Sequence, residues 1–276
     1  MHKVHRDVDT TRVVEVRLEV DHLFASMFPG EDQRLAPQAF KWVVDAFTGS
    51  FHDYQAIDAR YHDLEHTLQG TLCLARLLRG RSRAGANPVL PRRVCDLALL
   101  AILLHDTGYL KKRNDTEGTG AKYTSIHVQR SVDFAGELLA DHGFDQNDIE
   151  TVQQMIRCTG MNVKLDNIPF KTTEERIAGM ALGTADLLGQ MAARDYVEKL
   201  PILYKEFEEA GQHGKMVFQF KSAQELIKST PSFWTGYVLP KINGDFEGLY
   251  RYLAPECESN PYLAKIQANL DRISQA

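Results

Sequence analysis

Residues 92–106 read Arg-Arg-Val-Cys-Asp-Leu-Ala-Leu-Leu-Ala-Ile-Leu-Leu-His-Asp. Following Pro91, the stretch is apolar nearly all round its second half. That predicts a helix from Arg92 to His105 at the buried centre of a helical domain. The clean apolar run, Leu97 to Leu104, falls far short of the ~20 residues a bilayer requires. A His-Asp dipeptide ends the run, so an imidazole and a carboxylate are expected beside the core. Burying them there is costly unless something compensates.

Helical period dominates on both sides. Upstream, Ala36 to Phe47 carries Phe40, Val43, Val44 and Phe47, and Leu64 to Leu78 repeats Leu68, Leu72, Ala75 and Leu78. Between that helix and Pro91 the polar segment 81–88, with Gly85 and Pro88, is expected to be a loop. Near the start, Val14 to Val20 (V-E-V-R-L-E-V) alternates apolar with charged and predicts a strand. Downstream, 107–120 is glycine-rich and basic at Lys111–Arg113, and reads as a mobile loop. Tyr123 to His142 is amphipathic and stops at Gly143. Asn147 to Arg157 follows, and Thr172 with Glu175 forms a capping box for a helix to about Met191. A further helix is expected to end near Ala210, before Gly211. Asn260-Pro261 starts a last helix with Leu263, Ile266, Leu270 and Ile273 on one stripe.

The expected fold is all-α, a multi-helix bundle with at most a short N-terminal strand. Residues 1–34 form an N-terminal segment, 35–210 the helical domain and 211–276 a C-terminal extension on the same domain. Aromatic residues are dense in that extension, from Phe218 and Phe220 through Trp234 to Tyr252. They read as packing against the helical domain, with a homodimer surface as the alternative.

A net charge of −5, from 32 basic and 37 acidic residues, argues against a dedicated nucleic-acid binder. Cys73, Cys95, Cys158 and Cys257 are scattered without a Cys-x-x-Cys pair. The opening stretch lacks the 7–15-residue apolar core of a secretory signal. A reducing, cytoplasmic setting without membrane partners is expected.

The histidines add chemistry. In Tyr61-His62-Asp63-Leu64-Glu65-His66, the two imidazoles are four residues apart. On a helix they would differ by ~40° around the axis and ~6 Å along it, so both can address one site. Two solvated surface histidines are the bland alternative. For His105-Asp106 a divalent cation is the simplest compensation, and an ion pair with Lys111 or Arg113 the alternative. Asp186, in Ala185-Asp186-Leu187-Leu188, sits mid-helix among apolar neighbours, where carboxylates are disfavoured. A hydrogen bond or an arginine would also satisfy it.

Taken in order, Y-H-D-L-E-H, L-L-H-D-T-G-Y, H-V-Q-R-S-V-D-F-A-G-E-L-L and A-D-L-L resemble the segments of the HD superfamily of metal-dependent phosphohydrolases. The first is similar to the Y-H-N-x-x-H segment of cyclic-nucleotide phosphodiesterases, with Asp63 where those have Asn. The resemblance covers roughly residues 50–200 and implies a helical HD-domain, phosphodiesterase-like bundle. It implies that His66, His105, Asp106 and Asp186 hold one divalent ion, whether Fe, Mn, Zn, Co or Mg, and that His62 is the general acid. A water on the metal would attack phosphorus in a phosphomonoester or phosphodiester, a nucleotide among the candidates.

In two-metal relatives a histidine at the place of His127 and a later one hold a second ion or contact phosphate. The later place falls at Arg157-Cys158-Thr159, which has no histidine. The expectation is therefore one ion, with His127 as a second-metal or phosphate contact and Cys158 as an inert buried thiol. Lys122 and Arg157 are candidate phosphate ligands. Two alternative functions are a di-iron oxygenase of the HD type and a non-catalytic metal- or nucleotide-binding regulator.

Overall fold

A computed structural model of the chain describes residues 7–31, 34–51, 53–213, 220–254 and 259–275. Its centre is helix α4 (Arg92–Leu104), in which every residue from Cys95 to Leu104 is buried. Around it pack α2 (Leu35–Phe47), α3 (Leu64–Arg83), α5 (His127–Asp141), α6 (Gln146–Arg157) and α7 (Thr173–Met191). Outside this ring lie α1 (Val13–Met27) and α8 (Tyr196–His213). The chain then forms α9 (Ala223–Phe233), a π-turn at Trp234–Val238, α10 (Leu239–Asn243) and α11 (Pro261–Gln275). The fold is all-α. Among the described residues no strand forms, and no helix is long and apolar enough to cross a membrane.

The helix starts follow the sequence. Asp63 caps α3 by accepting the His66 amide at 2.9 Å, and Asp145 caps α6 in the same way. The capping box of Thr172 and Glu175 is present at α7, and Asn260 accepts the amides of Tyr262 and Leu263 at α11.

Four boundaries differ from expectation. Val14–Val20 is helical, inside α1: Val16, Val20 and Phe24, four apart, are buried, whereas Val14 and Leu18 are exposed. The alternation was real over seven residues, but the apolar stripe that packs runs at helical period over fifteen. α3 continues through Arg83, because Arg81 is buried and the turn comes only at Gly85 (φ 61°). α8 runs past Gly211 to His213, since a single helix glycine costs only about 1 kcal/mol. α5 begins at His127 rather than Tyr123, after a 3-10 turn at Gly120–Tyr123. The segment after α4 is also less loose than its glycines imply, since Tyr109, Leu110 and Lys111 are buried.

The C-terminal quarter joins the same core. Val238, Ile242, Phe246 and Leu253 are fully buried, and α11 lies on α7 and α9. Pro231, Gly236 and Pro240 lie within an α9–α10 run that continues through the π-turn instead of ending. Phe218 and Cys257 lie outside the described residues.

Two glycines set the distances that matter for the site. A Cβ on Gly189 of α7 would lie 2.8–2.9 Å from the backbone of Gln69 and Gly70 on α3. A Cβ on Gly108 would lie 1.9 Å from the His127 carbonyl at the start of α5. Helix propensity favours Gly189→Ala by up to ~1 kcal/mol. Overpacking against a rigid backbone costs ~1–3 kcal/mol and wins. Gly189→Ala is therefore expected to lower the melting temperature by roughly 2–8 °C in a thermal scan. Gly236→Ala, whose Cβ meets nothing within 4 Å, leaves it unchanged or raises it.

Candidate metal centre

Three elements deliver the cluster. His66 stands in the first turn of α3, His105 and Asp106 follow the last turn of α4, and Asp186 comes from the middle of α7. His66 Nε2 lies 3.2 Å from Asp106 Oδ2 and 3.4 Å from Asp186 Oδ1. His105 Nε2 lies at the same two distances from the same two oxygens. His66, His105 and Asp106 are each less than 5% exposed. Their ligand atoms lie within 4.8 Å of one another, a spacing that suits a metal ion.

The donor set fits a divalent cation. His105 Nδ1 donates to the Ile102 carbonyl at 2.7 Å, which turns Nε2 into the cluster. That Nε2 and Asp106 Oδ2 are buried and, despite facing each other, make no hydrogen bond. Two imidazole nitrogens and two carboxylates suit Zn, Fe, Mn or Co, with harder Mg tolerated.

Electrostatics say what holds these groups without an ion. Burial alone would push the His66 pKa down, but Asp106 and Asp186 beside it raise it to about 9. His105 is opposed by burial too, yet the same carboxylates hold it well above its usual range. Burial would raise both carboxyls. The imidazoles override it and hold Asp106 and Asp186 below the normal carboxylate range. Protons on the imidazoles thus occupy the role a cation would take.

His62 stands just outside the helix. Asp63 caps α3, so His62 precedes its first turn, and the shared-face geometry of a continuous helix does not apply. The two rings nevertheless approach to 5.4 Å between centroids. His62 Nδ1 lies 2.6 Å from Glu206 Oε2, and Glu206 Oε1 accepts the Tyr61 amide at 2.7 Å. Burial opposes ionisation of Glu206, but His62 and these hydrogen bonds hold its pKa low. An ionised Glu206 only accepts, so Nδ1 carries the proton and Nε2 is the exchangeable position. Tyr109 stacks on His62 at 4.3 Å and on His127 at 4.7 Å, and its hydroxyl lies 3.5 Å from His62 Nε2.

His127 donates from Nδ1 to the Thr124 carbonyl at 2.6 Å, and its Nε2 lies 3.9 Å from Asp106 Oδ1. Burial lowers its pKa, which keeps the ring neutral and able to ligate.

Not every expected residue joins. Lys122 is held by Asp115 and the Glu117 carbonyl, and Arg157 by Gln129 Oε1 at 2.8 Å. The Lys122 head is thus engaged within its own loop, whereas Arg157 makes this one bond to a neutral amide. Lys111 pairs with Asp58 at 3.0 Å, not with Asp106. Cys158 is buried with its thiol raised to about 12 and its Sγ near the Gln154 carbonyl, as an inert thiol should be. Sequence reasoning missed Glu206, Tyr109 and Gln190, which bonds both Tyr61 and Asp186. Tyr109 follows the dipeptide closely enough to have been noticed. Glu206, in a run of ordinary helix carboxylates, carried no signal.

Two pH effects follow. In metal-free protein the raised pKa of His66 contributes stability fully present below about 6.5 and lost as pH rises through about 9. An added ion must displace those protons. Its affinity is expected to fall about tenfold per pH unit, per proton displaced, from pH 9 down to 6. Calorimetric titration with Mn²⁺ in buffers of different ionisation enthalpy reads both the slope and the released protons. A flat profile would mean the ion binds elsewhere.

No curated protein matches the chain. The sequence model of the Npun_R2479-like family matches residues 113–276, a span that includes His127, Asp186 and Glu206 but not His62, His66, His105 or Asp106. That span exceeds half of the sequence, and the chain belongs to the Npun_R2479-like family.

Proposed function

We propose that the chain is a metal-dependent phosphohydrolase that cleaves a phosphomonoester or phosphodiester of a nucleotide-like molecule. The observation that carries this reading is the convergence of His66, His105, Asp106 and Asp186, with two of their atoms orphaned, beside a histidine oriented by a carboxylate. When bound, a divalent ion supplies Lewis acidity, which activates water and offsets charge on phosphoryl oxygens.

The chain's own residues do the rest. His66, His105, Asp106 and Asp186 would hold the ion. His62 donates the Nε2 proton to the leaving oxygen, while Glu206 keeps the ring's Nδ1 side occupied and its orientation fixed. Tyr109 stacks on both His62 and His127 and limits how either ring can turn. His127, with Nε2 unengaged on the cluster side, is suited to a phosphate oxygen or a second ion. The di-iron alternative needs further ligands, and Cys158, bonded towards Gln154, is not oriented as one.

Elemental analysis and a phosphoester panel test the reading on wild type and three variants. Wild type is expected to carry about one equivalent of metal and to release phosphate or a monoester. Asp106→Ala loses metal and turnover together. His62→Ala keeps metal and turns over roughly 10²–10⁴-fold more slowly. Glu206→Gln keeps metal and slows less. If His62→Ala loses metal, the roles of His62 and His66 are exchanged. If saturating metal supports no hydrolysis of any phosphoester, the chain is a regulator and the proposal fails.

A further inference from the structure

The far end of α3 carries a second feature that the metal centre does not use. Arg81 lies fifteen residues beyond His66, roughly 22 Å along the helix at 1.5 Å per residue. It is only 3% exposed, yet among the described residues no carboxylate or carbonyl bonds its guanidinium. Its neighbour Arg79 is engaged with Ser26 at 2.6 Å, and the nearby Asp96 Oδ1 accepts from Arg92 at 2.8 Å. The guanidinium thus has no partner among those residues and keeps only slight contact with water at the cleft, which leaves it available to an anion.

Arg81 lines a small cleft between the ends of α1 and α3 and the start of α4, with a cavity volume of about 90 Å³. The other walls are mainly apolar: Met27 and Phe28, Leu78, and Val89 and Leu90, with Ser82 as the further polar side chain.

We propose that this cleft binds a small carboxylate with an aliphatic chain, its head on Arg81 and its tail along Leu78, Leu90 and Phe28. A planar guanidinium presents two parallel N–H groups that match the two oxygens of a carboxylate. A phosphate dianion would call for a second cation, and the lining supplies none. Val89 is 73% exposed at this cleft, an apolar side chain that a bound chain would cover. The site is separate from the metal centre and stands whether or not the chain hydrolyses phosphoesters.

Calorimetric titration of the full chain with sodium octanoate tests this, with octyl phosphate and octylammonium as comparisons. Octanoate is expected to bind, octylammonium not to bind, and Arg81→Met to weaken octanoate about 10- to 100-fold. Metal content stays unchanged in that variant. Because it removes an unpaired buried charge, Arg81→Met is also expected to melt no lower than wild type. Val89→Asp, at an exposed position that tolerates substitution, weakens octanoate by placing like charge at the cleft. The proposal is overturned by no octanoate binding, by equal binding to wild type and Arg81→Met, or by tighter binding of octyl phosphate. A lower melting temperature for Arg81→Met, or unchanged affinity in Val89→Asp, overturns it as well.

Discussion

Asp106 and Asp186 put two carboxylates inside the protein, and both aim at the same pair of imidazoles. An isolated buried carboxylate costs several kcal/mol even after relaxation, so a pair demands positive charge between them. Among the described residues no lysine or arginine supplies it, because Lys111 is taken by Asp58 and Arg130 by the carbonyls of Gly108 and Leu110. Positive charge must come from protons on His66 and His105 or from a cation. Much of the surrounding architecture follows from holding these four groups together.

Close backbone approaches do the holding. α3 and α7 approach at Gly70 and Gly189, one turn along from His66 and Asp186 respectively, so the two side chains meet at 3.4 Å. The turn after α4 is pressed on α5 at Gly108, whose amide donates to Ser131 Oγ at 2.8 Å. That contact fixes where α5 begins and hence where His127 stands. Glu206 reaches in from α8, bonding both the Tyr61 amide and the His62 ring, and so anchors the segment that leads into α3.

The legibility of these elements in the sequence follows the strength of the local signal. α4 was readable because a helix at the centre must be apolar on all sides, and α7 because its capping box is a local, reciprocal hydrogen-bond pattern. The cluster residues drew notice because charged groups beside apolar runs need a reason to be there. α1 was misread because seven alternating residues fit both periods, and only tertiary burial of Val16, Val20 and Phe24 decides between them. Glu206 was invisible because its partner, His62, lies 144 residues away in the chain. The pairing of Lys122 with Asp115, seven residues back, went unread because a loop lysine carries no local sign of which carboxylate holds it.

The metal-free protein therefore has a route to the same fold. With His66 raised to about 9 and His105 raised as well, protons on the imidazoles offset the carboxylates at neutral pH. This separates the centre from small zinc domains, in which ligand thiolates have no other stabiliser and the apo chain unfolds. Here the core around α4 is large and continuous, so the cluster contributes to the stability of a fold that other contacts already secure. An ion entering such a preorganised set gives up little ordering energy. It replaces protons whose positions already mark where its charge is required.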